Sequence, residues 1–122
     1  MDRDVVGTAD LGRLRVEVGH HGRSAVFAPT GELDHHTADL LSEPLDAALD
    51  AGTSRLVIDC AGLEFCDSTG LNVLLSARLR ADAAGGAVHL AAMQPTVARV
   101  FEITGADTVF TVHATLDQAL QE

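Results

Sequence analysis

The sequence predicts an α/β fold with a mixed, mostly parallel sheet, an N-terminal hairpin and about four helices. Two strand-like segments, residues 11–18 and 24–29, are joined by a short glycine-containing turn, which is typical of an antiparallel hairpin. After residue 29, short apolar runs alternate with segments of helical period. This alternation is typical of parallel strands joined by right-handed helical crossovers.

The first helix is predicted after the hairpin, with Leu41, Leu45 and Leu49 on one apolar face. Pro44 lies inside this helix and has no backbone N–H, so it should kink or break the helix. Gly52 is placed where the helix should end.

The rest of the chain predicts three more strands and three more helices in alternation. Pro95 suits the first turn of a helix and Gly105 its end, while Thr115 and Gln118 have the spacing of a capping box. In chain order, the predicted strands span residues 56–58, 87–91 and 108–112, and the helices span residues 68–82, 95–104 and 115–120.

Length and composition exclude several classes of function. The 122 residues indicate one domain, with residues 1–10 as a flexible N-terminus and residues 11–122 as the folded part. A formal net charge of −10 argues against partners such as nucleic acid or an anionic membrane surface, since both require basic patches. Neither a signal peptide nor a membrane span is apparent, so a cytoplasmic location is expected. Cys60 and Cys66 fit neither a redox nor a zinc spacing and are predicted to be free thiols.

The start of the 68–82 helix supplies the candidate site. Asp67 and Ser68 are placed where side-chain oxygens accept bonds from otherwise unpaired backbone N–H groups. The helix dipole also favours negative charge at this position, so the site suits a phosphate. The alternative is that Ser68 contributes only to the cap.

Two polar loops are predicted to converge on Ser68. The second and third predicted strands are joined by one helix, so their exit loops should share the carboxyl edge of the sheet. Glu32 and Asp34 follow the second strand and would lie near Asp67, Ser68 and Thr69.

A small serine hydrolase is the alternative from a different class. Ser68 would be its nucleophile, with His35 or His36 and Asp34 as partners. The nucleophile elbow G-x-S-x-G lacks its first glycine, because Cys66 occupies that position. The adjacent histidine pairs lack the spacing that puts two metal ligands on one face. The residues therefore predict no catalytic residue, no metal site and no cofactor.

Phosphorylation is the chemistry that the residues favour at Ser68. A phosphate adds about −1.5 to −2 charges and three acceptor oxygens. Beside Asp67, Asp34 and Glu32 it would change an already acidic surface. A partner that recognises this edge through basic groups and close fit would then bind differently.

Three motifs occur in order along the chain: GELDHHTA at residues 31–38, FCDSTGL at residues 65–71 and RVFEITG at residues 99–105. They resemble motifs of the STAS-domain anti-sigma factor antagonists of bacteria. Each motif is weak alone, but their order and spacing match the family roughly from Leu14 to Leu120.

This resemblance implies a single STAS domain that acts by partner switching. In the family, the unphosphorylated antagonist binds an anti-sigma factor and thereby frees a sigma factor. The anti-sigma factor is an ATP-dependent serine kinase that inactivates the antagonist by phosphorylating the serine of D-S-[ST]-G, which is Ser68 here. A phosphatase of the PP2C type reverses this step. The antagonist itself is not an enzyme.

The same matching implies which residues bind the partner. Glu32 and Asp34 belong to the loop that contacts the kinase, in an exposed position. Around the acceptor serine, the implied partner-binding residues are Asp67, Thr69, Gly70 and Leu71. Within the family, the alternative is a STAS module that scaffolds a complex or binds a ligand without kinase switching.

Overall fold

The computed structural model describes residues 4–121, which form an α/β structure around one mixed sheet. Within this range lie seven strands and four α-helices. The strands are β1 (Asp4–Asp10), β2 (Leu14–His21), β3 (Ser24–Leu33), β4 (Arg55–Asp59), β5 (Leu63–Cys66), β6 (Ala87–Ala91) and β7 (Thr111–His113). The helices are α1 (Ala38–Asp50), α2 (Ser68–Ala83), α3 (Pro95–Thr104) and α4 (Leu116–Leu120).

The sheet confirms the predicted fold class. Its strand order is β1-β2-β3-β4-β6-β7, and β5 pairs with β3 outside this path. The β1–β2 and β2–β3 pairs are antiparallel, whereas β3–β4, β4–β6, β6–β7 and β3–β5 are parallel. The N-terminal hairpin therefore extends a parallel sheet whose strands are connected by helices.

The strand β1 corrects one prediction. Residues 1–10 were expected to form a flexible N-terminus, but Asp4–Asp10 pairs along its length with β2. The sequence of β1 shows no regular apolar alternation from which a strand could be predicted. Backbone pairing with β2 holds this edge strand in place. Residues 1–3 lie outside the described residues.

Two strands share the edge of β3, which positions the site. The first half of β3 pairs with β4, while its last residues, Gly31–Leu33, pair with β5. Gly31 has φ +110°, and a Cβ there would lie 2.1 Å from the Arg13 carbonyl oxygen. Only glycine tolerates this backbone conformation and this close approach. The sequence did not predict β5, a four-residue strand in which Glu64 and Phe65 are exposed.

The core is divided between the two faces of the sheet. On one face, buried side chains of α1, α2 and α3 pack against the strands in a single cluster that includes Leu41, Leu74 and Phe101. On the other face, Val26 and Val57 belong to a smaller cluster completed by α4. Successive strand residues point to opposite faces, so the apolar runs in β3, β4 and β6 supply both clusters.

Helix α1 continues through Pro44, and the predicted break is therefore wrong. Leu41 and Leu45 precede and follow Pro44, and neither is more than 1% exposed. Burial of both residues anchors the two halves of the helix on the same core, which offsets the cost of one missing backbone bond.

The remaining predicted elements are present, β6 and α3 with the predicted bounds and the others with changed bounds. The last strand lies at Thr111–His113 instead of residues 108–112, because Ala106–Thr108 forms a 3-10 turn after α3. Helix α2 ends at Ala83, one residue later than predicted.

Candidate phosphorylation site

Asp67 caps the start of α2, and Ser68 is its first residue, as predicted. Asp67 has an extended backbone, and its Oδ1 accepts a bond from the Gly70 backbone N–H at 3.0 Å. This is the usual geometry of an N-cap and its N3 donor. Ser68 is exposed, so its hydroxyl lies on the surface at the positive end of the helix dipole.

The loop after β3 is bonded directly to this helix start. The backbone N–H of Asp67 donates to the Leu33 carbonyl at 3.1 Å, and Asp67 Oδ2 accepts from the backbone N–H of His35 at 3.1 Å. The predicted convergence of the two loops is thus confirmed. The strand that brings Ser68 there is β5 and not β4, because Leu33 pairs with Cys66.

Asp34 is buried, and the expectation that it lies exposed in the loop is wrong. Its side chain is 10% exposed, and the Arg13 guanidinium donates to both of its carboxylate oxygens. Asp34 Oδ1 also accepts from the backbone N–H groups of His36 and Thr37, at 2.9 and 3.1 Å. The hydrogen bond from Arg13 is the main reason why the pKa of Asp34 falls to about 2, although burial acts in the opposite direction.

Arg13 and Thr37 are site residues that the sequence analysis did not identify. Arg13 also bonds to Glu32 Oε1 at 3.3 Å, and the Glu32 side chain is 48% exposed. Thr37 Oγ1 accepts from the backbone N–H of Asp34 at 2.9 Å and donates to the Glu32 carbonyl at 2.8 Å. Both residues therefore fix the shape of the loop, while Glu32 remains available at the surface.

Gly70 and Leu71 lie beneath the surface. A Cβ at Gly70 would come within 2.7 Å of Leu33 Cγ and 3.0 Å of Cys66 Sγ, so glycine lets α2 approach the ends of β3 and β5. Leu71 is 6% exposed and belongs to the core. Neither residue presents a side chain to a partner.

Thr69 is half-buried and borders a shallow groove of about 310 Å³ between α1 and α2. The implied partner-binding residues thus divide into two groups. Ser68, Glu32 and Thr69 reach the surface, whereas Asp34, Asp67, Gly70 and Leu71 shape the support beneath it.

The geometry offers little to a hydrolase. Within residues 4–121, the Ser68 hydroxyl has no hydrogen-bond partner. His35 Nδ1 instead lies 3.8 Å from Asp67 Oδ2. Burial raises the pKa of the Cys60 and Cys66 thiols to about 12, which makes them unreactive.

The described residues offer neither a candidate metal site nor a helix that could cross a membrane. No group of three or more His, Cys, Asp or Glu side chains there could hold a metal ion. No helix in the same part of the chain is both long and apolar enough to cross a membrane.

Comparison with known proteins identifies the family. The family model for the STAS domain matches residues 15–119. The chain belongs to the STAS domain family. This confirms the resemblance seen in the three sequence motifs, and the match spans nearly the extent predicted from them.

Relatives of this STAS domain are named as anti-sigma factor antagonists. The chain is 29% identical over 110 residues to the anti-sigma F factor antagonist of Paenibacillus polymyxa, covering 89% of this chain and 94% of the relative. A solved structure of an anti-sigma factor antagonist from Mycobacterium paratuberculosis is 29% identical, with a TM-score of 0.82 and coverage of 92% and 96%. The structure of SpoIIAA in its unphosphorylated form is 26% identical, with a TM-score of 0.76 and coverage of 86% and 92%.

Replacing Gly70 with alanine should destabilise the STAS domain by up to ~2 kcal/mol. The added Cβ gains ~1 kcal/mol of helix propensity but overpacks a site closed by the fully buried Leu33, at a cost of ~1–3 kcal/mol. Urea unfolding measures the difference. Gly7→Ala is the matched control, because a Cβ there meets nothing within 4 Å. A Gly70→Ala variant that is more stable than wild type would contradict this packing argument.

Asp34→Asn should destabilise the domain near neutral pH, and the difference from wild type should shrink in acid. The folded-state pKa of Asp34 is about 2, below its ordinary value of 3.8, so ionised Asp34 stabilises the fold above about pH 4. This contribution is lost as the pH falls from about 4 through about 2, since the carboxyl of the unfolded chain then binds a proton more readily than the native carboxyl does. Urea unfolding of both proteins across this pH range provides the test.

The control for this titration is Asp39→Asn, at an exposed position in the first turn of α1. The free energy of unfolding of Asp39→Asn should differ little from that of wild type at both ends of the pH range. If the Asp34→Asn difference stays constant between neutral and acid pH, the Arg13–Asp34 pair is not the source of the effect.

Proposed function

We propose that this STAS domain is an anti-sigma factor antagonist controlled by phosphorylation at Ser68. The unphosphorylated protein binds an anti-sigma factor and so releases a sigma factor. The names of its relatives support the antagonist role. The observation that carries the finer proposal is an exposed serine at the first position of α2, beside the Asp67 cap.

A phosphorylatable serine suits this position for two physical reasons. The hydroxyl of Ser68 is exposed, so a kinase reaches it without opening the core. The backbone N–H groups of Ser68 and Thr69 precede the first intrahelical bond of α2, which runs from Leu71 N–H to the Asp67 carbonyl. These donors, together with the helix dipole, favour an anion there. SpoIIAA, a neighbour in structure, is described in an unphosphorylated form, which also suits a protein with two states.

The switch acts through surface charge and fit. The proposed partner-facing surface contains the exposed Glu32 carboxylate, at the end of β3 that pairs with β5, and a phosphate on Ser68 adds about −1.5 to −2 further charges. A partner that packs closely on the bare serine loses contact area and meets a new charge. A change from nanomolar to micromolar affinity needs only ~4 kcal/mol.

The proposed partners supply the chemistry that this chain lacks. The anti-sigma factor is an ATP-dependent serine kinase that phosphorylates Ser68, and a phosphatase of the PP2C type removes the phosphate. In this proposal the STAS domain is the substrate of both enzymes and a regulator, and it catalyses no step itself.

Ser68→Ala should bind the anti-sigma factor as wild type does while taking up no phosphate. The hydroxyl lies on the surface, so its loss leaves the packing beneath α2 intact. Purified variant and wild type are incubated with ATP and the candidate anti-sigma kinase of the same organism. Intact-mass spectrometry measures phosphate incorporation, and titration calorimetry measures binding.

Ser76→Ala is the matched control, since Ser76 is another exposed serine on α2. It should accept phosphate at Ser68 as wild type does. Phosphate on the Ser68→Ala variant would place the acceptor elsewhere. Binding without any phosphorylation of wild type would favour a scaffold or ligand-binding role instead.

Phosphorylation of Ser68 should leave the backbone and the thermal stability nearly unchanged. The helix N-terminus favours the phosphate by ~0.3–1 kcal/mol, while repulsion from Asp67 at the exposed surface opposes it by a similar amount. Melting curves and amide exchange over residues 66–80 compare the two forms. Loss of exchange protection along α2 would show that the switch works by local unfolding.

A further inference from the structure

The His35 imidazole is held at the start of α2 although it is exposed. Its Nδ1 lies 3.8 Å from Asp67 Oδ2, and the backbone N–H of His35 donates to the same oxygen at 3.1 Å. The ring of His36 lies against it at an interplanar angle of 40°, with 3.9 Å between ring centroids. The imidazole is thus held against the residue that directly precedes Ser68, and consecutive Cα atoms are ~3.8 Å apart.

We propose that His35 is the ionic partner of a phosphate on Ser68 and makes the charge of the phosphorylated site depend on pH. This inference rests on the proposed phosphorylation of Ser68 and extends it to how the phosphorylated form is stabilised. The partner is a side chain of this chain, in addition to the backbone N–H groups of α2.

A phosphate changes charge near neutral pH, so a cation close to it affects that change. A phosphoserine loses its second proton near pH 6. A nearby cation favours the dianionic phosphate, and the dianion in turn favours the cation, so two such groups titrate as a pair. Removing the cation therefore moves the pH midpoint of the phosphate upward.

The neighbouring charges on both elements support this pairing. At the start of α2, Asp67 Oδ2 lies 3.8 Å from His35 Nδ1. On the loop itself, the charge of Asp34 is already paired with Arg13. His36 is the other titratable neighbour, and its ring contacts that of His35. His35 is therefore the histidine whose ring contacts the residue directly before Ser68.

The test uses protein in which phosphoserine is inserted at position 68 during translation, so no kinase is required. A ³¹P NMR titration gives the pH midpoint of the phosphate in wild type, His35→Asn and His20→Asn. Loss of the imidazole cation should raise the midpoint in His35→Asn by about 0.3–0.7 pH unit. His20 is exposed near the far end of β2, beside Ala25, so its variant should titrate like wild type.

Salt and a second substitution confirm the electrostatic origin of the shift. Raising the salt concentration to about 1 M should shrink the difference, since exposed charges are screened. His35→Gln should reproduce the His35→Asn midpoint. Equal midpoints in wild type and His35→Asn, or an equal shift in His20→Asn, would overturn the pairing.

The His35 pairing and the proposed function can be rejected independently of each other. A shifted midpoint together with no phosphate transfer from the kinase would reject Ser68 as the natural acceptor and keep the His35 pairing. Phosphate transfer to Ser68 with equal midpoints would keep the function and reject the pairing.

Discussion

The parallel pairing of β5 with the end of β3 is the constraint on which the candidate site depends. It sets Leu33 opposite Cys66 and lets the Leu33 carbonyl accept the Asp67 backbone N–H. From that position, one carboxylate can cap α2 through Gly70 and hold the neighbouring loop through His35. The approach is close enough that only a glycine fits at the third position of the helix. A shift of this register by one residue would turn the side chains to the opposite face and separate cap from loop.

The acidic residues of the site have different roles, which residue type alone does not distinguish. Asp34 and Asp67 both accept bonds from backbone N–H groups, and Asp67 also holds the loop of Asp34 through His35, so their charges stabilise the local fold. Glu32 has only the partly exposed Arg13 as an ion-pair partner among the described residues. Such an exposed pair contributes little to stability but leaves charge available for recognition. In the complex that we propose, specificity should therefore depend on Glu32, Ser68 and the half-buried Thr69 more than on the two aspartates.

The sequence predicted the parts of the fold that rest on local chemistry. The start of α2 followed from capping residues ahead of an apolar helical period, and the shared edge followed from the handedness of crossovers. It did not predict β1 or β5, because neither strand shows a regular apolar alternation and both are held by pairing with their neighbours. The proximity of Arg13 to the segment that contains Asp34 could have been predicted from the hairpin. The hairpin pairs His21 with Ser24, and the same register continued along both strands puts Arg13 opposite Glu32, two residues before Asp34.

The support beneath Ser68 favours a surface switch in the function that we propose. The cap, the loop and the core beneath Ser68 are bonded or packed, and a Cβ at Gly70 would lie too close to Leu33. A phosphate on Ser68 would meet backbone donors that the cap does not use, since Asp67 accepts only from Gly70 within the helix. No buried contact would have to break to admit the phosphate. In the proposed mechanism, the energetic difference between the two states would therefore reside in the complex with the partner, and removal of the phosphate would restore the same binding surface.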